Sequence, residues 1–430
     1  MNRPMLPLLS LAIALVICGC SAENSAVARD RQAAEAGDAA AQCRLGLACQ
    51  RGEGVAKDPA EAVKWYRKAA EQGNAEGQRR LGWCYAHGRG VEKDPAEGVK
   101  WTRKAADQGD PVAQFGMGVS YSQGRGVKKD PVEATGWMRK AADQGYSVAQ
   151  CSMGMRYDDG NGVKKDPAEA VKWYTKAAEQ GQITAQFSLA MHYAEGDGVE
   201  RDLSKAVKWY RKAADQGDSA AQCKLAQHYA WGAGVEEDHK QSFHWFRKAA
   251  DQGDAEAQFY LGTLYLDGLT ERSTGSVIVK KDPESAARLF RKALPVIRKD
   301  AERGVAESQY LLGLYYHGAT GEKEDRKLAF DWYLKSAEHG KTEGQVAVGK
   351  CYEEGRGVER DPEKAVWWYR KAAESGDLWA QVVLGSCYRF GRGVEKDHVQ
   401  AMAWFRKAAS QNYAPAIKAL KHMESDAAKK

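Results

Sequence analysis

A helix-stopping glycine recurs at a constant interval, and that interval limits the folds open to this chain more than any other property. Gly37, Gly73, Gly109, Gly145, Gly181, Gly217 and Gly253 stand 36 residues apart, and the series resumes at Gly304, Gly340, Gly376 and Asn412. Asparagine is the second-best residue for the left-handed backbone such a stop needs. Ahead of each stop lies a segment like that from Asp166 to Gly181. Asp166 can cap a helix, Pro167 suits the first helical position, and Glu169 stands at capping-box spacing. Ala170, Trp173, Tyr174, Ala177 and Ala178 share one helix face. One such period cannot bury its apolar face alone, so copies must stack on one another. At 430 residues the length by itself suggests two or three domains. The repeat replaces that estimate with a single array.

Each period reads as helix, turn, helix. The first helix carries Ala75, Leu81, Gly82 and Tyr85 or their equivalents, and Gly82 permits close approach of a neighbouring helix. The turn is Gly-x-Gly-Val, as in Gly88 to Val91, Gly124 to Val127, Gly160 to Val163 and Gly355 to Val358. These glycines follow a helix and lack the Lys-Ser/Thr ending of a phosphate loop, so they read as turn glycines. Second helices begin after Asp58, Asp94, Asp130, Asp166, Asp202, Asp238, Asp282, Asp325, Asp361 and Asp397. Repeat one therefore spans 38–73 and repeat ten 377–412, with a half-repeat before and a lone helix after. Repeat seven is enlarged (254–304). Its extra residues fall in the turn, Leu269 to Val279, and in the second helix, where seven residues add close to two helical turns. Leu289 replaces the usual tryptophan there, and Pro295 is expected to kink or start the added part.

Taken together, these residues resemble the Sel-one-like repeat family, relatives of the tetratricopeptide repeats, over residues 37 to 412. The resemblance implies an all-α fold: an α-solenoid, a right-handed superhelix of 36-residue helix-turn-helix repeats with a concave face. It also implies a role in holding other proteins together. The expected organisation is a signal peptide over 1–19, a linker and half-repeat over 20–36, ten repeats over 37–412, and a capping helix with tail over 413–430.

Arg3 precedes an apolar run from Met5 to Ile17, broken only by Pro7 and Ser10, which suits a secretory signal better than a membrane span. Its end, Ile17-Cys-Gly-Cys-Ser21, resembles the lipobox of bacterial lipoproteins. That resemblance implies lipidation of Cys20 and a membrane anchor there, and Ser21 implies outer-membrane sorting with the protein facing the periplasm. The net charge of +6 is spread along the chain without a clustered basic face, which argues against nucleic acid as a partner.

No catalytic constellation, metal pair or cofactor motif is legible. His192 and His228 hold equivalent places in adjacent repeats but lack further ligands. Seven cysteines lie beyond Cys20 (Cys43, Cys49, Cys84, Cys151, Cys223, Cys351 and Cys387), all in first helices, with Cys49 and Cys84 the best candidates for a disulfide. The recurring tryptophans, Trp65 through Trp404, read as core. A partner is better sought where repeats differ. Counted from the preceding glycine, positions six and ten lie one turn apart on the first helix. They read Arg79 and Trp83, Phe115 and Val119, Cys151 and Met155, Phe187 and Met191, Phe259 and Thr263, Tyr310 and Leu314. Two readings compete: an apolar, Met-rich concave groove for a protein or peptide, or packing between adjacent first helices. The functional expectation is a non-enzymatic cell-envelope scaffold that binds a protein or peptide in that groove. The alternatives are an envelope enzyme, such as a β-lactam or peptidoglycan hydrolase, and a regulatory protein of a signalling or secretion pathway.

Overall fold

The computed structural model describes residues 26–270, 275–319, 325–411 and 413–428. Cys20, the apolar run before it and Asn412 lie outside the described residues. Within them no helix is long and apolar enough to cross a membrane. The architecture is an α-solenoid of tandem helix pairs. It divides into two compact bodies, one ending at Ala185 and the other starting at Gln186.

In the N-terminal body, a helix over 26–35 precedes four first helices, beginning with Ala39–Arg51 and Ala75–His87 and ending with Ser147–Asp159. They alternate with second helices Pro59–Glu71, Pro95–Asp107, Pro131–Asp143 and Pro167–Glu179. The C-terminal body runs on the same plan to His398–Ala409 and a closing helix, Ala414–Ala428.

The repeated residues explain the repeated geometry. Asp166 Oδ1 accepts the Glu169 N–H at 3.0 Å, which satisfies one of the free donors of a helix start. The capping box stops halfway, because Glu169 turns to Lys172 at 2.8 Å. The Asp166 N–H is already engaged, donating to the Tyr157 carbonyl at 2.9 Å. That bond ties each second helix to the end of its first helix, and it recurs as Asp94 to Tyr85, Asp130 to Tyr121 and Asp361 to Tyr352. Gly82 sits where a Cβ would lie 2.4 Å from Thr102 Oγ1 and 2.8 Å from the Gly98 carbonyl, so the two helices of this repeat meet backbone to backbone. The turn glycines join repeats. Gly126 has φ +71, and a Cβ there would lie 2.1 Å from the Pro95 carbonyl of the preceding repeat. Its place can be filled by no other residue without moving that contact.

A buried glutamine ladder also crosses the repeats. Gln78 donates to the Ala70 carbonyl at 3.2 Å and accepts from Gln108 at 2.7 Å. The same pair recurs as Gln114 with Gln144 and Gln222 with Gln252. These amides satisfy backbone carbonyls that would otherwise be stranded in the core. Of the recurring tryptophans, Trp65, Trp137, Trp173 and Trp245 are buried in the core, whereas Trp101, Trp209, Trp332, Trp368 and Trp404 are half-buried. Several carry a lysine from the next turn over the ring, such as Lys104 at 3.9 Å from the Trp101 centroid.

Repeat seven lengthens its second helix by seven residues, as expected, and adds two features of its own. Its long turn folds into a two-stranded antiparallel ribbon, Leu269–Thr270 with Val277–Val279. Its second helix, Pro283–Glu302, is 20 residues long rather than 13 and runs through Pro295, which neither starts nor ends it. In repeat eight the first helix stops at Leu314 and passes into a π-helical turn, Tyr315–Ala319, with Gly318 at φ 88.

Candidate functional site

The structure separates the two positions that the sequence reading joined. Position six packs between elements. In the N-terminal body its residues reach the cap of the next first helix. Cys43 Sγ lies 3.4 Å from Asn74 Oδ1, Arg79 Nε donates to Asp110 Oδ2 at 3.2 Å, and the Phe115 ring sits 5.7 Å from Tyr146. Cys151 is buried. In the C-terminal body, position six meets the aromatic residue of its own second helix. Phe187 lies 5.7 Å from Tyr210, Phe259 lies 5.4 Å from Phe290, and Tyr310 lies 5.8 Å from Tyr333, all between ring centroids. Phe259 has no exposed surface at all, so it is a core residue and leaves the groove. Ring-on-ring packing of this kind is worth about 0.5–1.5 kcal/mol beyond burial.

Position ten behaves differently in the two bodies. In the N-terminal body it stays accessible: Trp83 is 43% exposed and stacks on His87 at 4.7 Å, and Met155 is 40% exposed. Val119 between them is half-buried, as is Leu47 in repeat one. Val112, on the same helix as Val119, is exposed as well. In the C-terminal body, Met191, Thr263, Leu314 and Ser386 are half-buried, Gln227 is buried and Lys350 is exposed, so no apolar residue at this position is exposed there.

The first helices of the C-terminal body carry two exposed tryptophans, Trp231 and Trp379, and between them a chain of charges. Lys224 Nζ lies 2.8 Å from Glu256 Oε1 and 3.7 Å from Glu307 Oε2, which belongs two repeats further on. Lys341 Nζ lies 2.5 Å from the same Glu307 oxygen and 3.0 Å from Glu343. Gln227 also donates to Glu256 at 2.5 Å. Burial disfavours charge on both lysines, yet the glutamates around them outweigh it and raise both well above the ordinary lysine range. Burial, together with Glu256, pushes the Glu307 carboxyl up, and its Oε1 is buried without a hydrogen bond. A chain of alternating charges links repeats six to nine.

That network was missed in the sequence, although a trace of it was present. Position three is glutamate in three successive repeats, Glu256, Glu307 and Glu343, and in Glu76 alone among the earlier ones. The trace has no meaning until Lys224 and Lys341 are placed against it, because neither shares its position.

Other candidates resolve into structure. The His192 ring bonds the Asp197 carbonyl at 2.8 Å and the His228 ring bonds the Ala233 carbonyl at 2.7 Å. Each side chain pins its own turn. Arg156 does the same to the Asn161 carbonyl at 2.9 Å from a buried position. All seven described cysteines are buried and unpaired. Cys49 and Cys84 share a core cluster but form no disulfide. Burial lifts the Cys84 thiol to about 11, so little reactive thiolate exists there.

The Sel1 repeat model matches this chain over ten stretches: 39–74, 75–110, 111–146, 147–182, 183–218, 219–254, 255–294, 306–341, 342–377 and 380–413. Among solved structures, a protective antigen of uropathogenic Escherichia coli strains with an SLR fold is 37% identical. The match covers 93% of this chain and 90% of that one, with a TM-score of 0.59. A Sel1 repeat protein from Oxalobacter formigenes is 41% identical over 49% of this chain and 85% of its own, with a TM-score of 0.45. Cysteine rich protein B of Helicobacter pylori is 26% identical over 30% of this chain and 94% of its own, with a TM-score of 0.26. No curated protein matches the chain.

Proposed function

The chain belongs to the Sel1 repeat family, whose members generally mediate protein–protein interaction and are typically non-enzymatic scaffolds, and from that premise we propose that it captures a protein or peptide on the first-helix face of repeats one to four. The observation that carries this reading is the accessible apolar stripe of Trp83, Val119 and Met155. A large tryptophan left 43% exposed on a helix that buries Leu81 and Cys84 suits an interface anchor, the role tryptophan most often plays in binding hot spots. Methionine beside it supplies a surface that adapts to different side chains.

The same proposal places the protein at the bacterial cell envelope. The run from Met5 to Ile17 acts as an export signal, Cys20 carries the lipid, and the repeats face the periplasm from the outer membrane. More than one acyl chain is needed for stable anchoring. Membrane fractionation of a Cys20→Ala protein tests it, since the variant should leave the membrane fraction, and retention there would defeat the anchor.

Docking itself is tested by Trp83→Glu combined with Met155→Glu, with crosslinked capture from native envelopes read by mass spectrometry. Capture should be lost while thermal unfolding stays cooperative. Capture at the wild-type level would remove the stripe from the interface.

A further inference from the structure

The first residue of the second helix is proline in six repeats, from Pro59 to Pro362. Repeat five places Leu203 there instead. Leucine gives up the preset backbone angle that proline brings to this position, and here a distant contact takes its place. Leu203 is 6% exposed and shares an apolar cluster with Leu378, Ala408, Tyr413 and Ala416. Those residues belong to repeat ten and the closing helix, five repeats further along the chain. Repeat ten departs from the pattern at the same spot. Leu378, also buried, begins a first helix where other repeats have alanine, proline, serine, isoleucine or threonine.

A charged residue, its charge disfavoured by burial, lies beside the contact. Arg201 Nε donates to the Ala194 carbonyl at 2.8 Å, and its Nη1 lies 2.5 Å from where a Cβ on Gly376 would be. Nη1 is buried without a hydrogen-bond partner, and the Asp377 and Glu343 carboxylates act on the guanidinium. Lys224, Glu307 and Lys341 belong to repeats six, eight and nine, between the two ends that this contact joins. Lys341 acts on carboxyl groups from both ends of the series, Glu195 in repeat five and Asp377 in repeat ten.

We infer that Arg201, Leu203 and Leu378 form a staple that holds repeats five to ten shut and keeps their first-helix face from a guest. It is an autoinhibitory contact: this half of the array can receive a partner only after the staple opens. The consequence for guests rests on the first-helix face being the docking surface, whereas the closure stands without it. The test therefore uses no guest.

Full-length protein is treated with acetic anhydride, and acetylation is read by mass spectrometry at Lys224 and Lys341. Lys64 and Lys172, with side chains 74% and 68% exposed, serve as references. Segment-resolved hydrogen exchange is recorded in parallel. Leu203→Glu buries an unpaired charge in the cluster and should raise labelling of both lysines several-fold. It should also raise exchange at residues 376–380 while the second helices of repeats seven and eight stay protected, as expected for local opening. Leu378→Glu should give the reciprocal rise around residues 201–206. His239→Glu, at the same helix position in repeat six, should change neither lysine. If Leu203→Glu does not fold, Leu378→Glu and the milder Leu203→Ser carry the test. Unchanged labelling in the folded variants, or an equal rise in His239→Glu, would overturn the inference.

Discussion

Repeats one to four and repeats five to ten are built from one template and differ in what lies on their first helices. In the first set, position ten leaves Trp83 and Met155 exposed, and the charged pairs range from open ones such as Arg44 with Asp30 at 2.8 Å to half-covered ones such as Arg79 with Asp110 at 3.2 Å. In the second set, Lys224, Glu256, Glu307, Lys341 and Glu343 join across successive repeats with side chains only 19–30% accessible. The difference teaches that the repeated residues build the frame and leave its use undecided. Whether a stretch of solenoid presents a surface or closes one is set by a few positions that escape the pattern.

The comparison breaks most readily at Lys341. Lys341→Met takes the cation from Glu343 and the nearer of two cations from Glu307, which keeps Lys224 at 3.7 Å, so the C-terminal body should lose about 3 kcal/mol. Arg44→Met in the other body removes its pair with Asp30, whose arginine is 55% exposed, and should cost less than about 1 kcal/mol. Denaturant unfolding of the full chain, with hydrogen exchange to assign each transition, measures both. Equal losses would erase the contrast between the two faces.

A second substitution sharpens the comparison by showing what the bodies share. Gly126→Ala meets the Pro95 carbonyl in the N-terminal body, and Gly393→Ala meets the Pro362 carbonyl in the other, each at 2.1 Å from the added Cβ. Left-handed backbone alone costs an alanine about 1–2 kcal/mol, so each variant should lose at least that, and the two losses should be similar. A neutral Gly126→Ala would show that the turn does not bind repeats together.

Protonation distinguishes the bodies on a smaller scale. Burial pushes His228 down to about 4, helped by Lys224 and Arg201 and opposed by its bond to the Ala233 carbonyl. Its folded value lies below its unfolded one, so its contribution is complete above about pH 6.5 and is lost as pH falls toward 4. Wild type should therefore lose about 2 kcal/mol more than His228→Gln between those limits. The equivalent positions of the N-terminal body hold Ala48, Cys84, Ser120 and Arg156, none of which titrates in that range. A difference between wild type and His228→Gln that stays flat with pH would place the ring in water.

Much of this was legible beforehand, for a physical reason. Caps, stops and turn glycines act over a few residues, so Asp166, Pro167 and Gly181 announce their helix without help from the rest of the chain. Periodicity then supplies the stacking. Two features were not legible. The fate of position six depended on which ring lay across from it, as Phe259 and Phe290 show, and a single helix cannot reveal its neighbour. The charged network joins Lys224 to a glutamate two repeats away, and the Leu203 contact joins repeats five apart. A reading that aligns repeats compares equivalent positions and passes over contacts between inequivalent ones.

If guests dock on repeats one to four, they leave the charged face of the later repeats untouched. A photocrosslinking amino acid at Trp83, and in a separate protein at Thr263, its counterpart in repeat seven, tests this most directly in native envelopes. The account predicts a covalent partner adduct from position 83 and none from position 263. An adduct from position 263 with none from position 83 would contradict it.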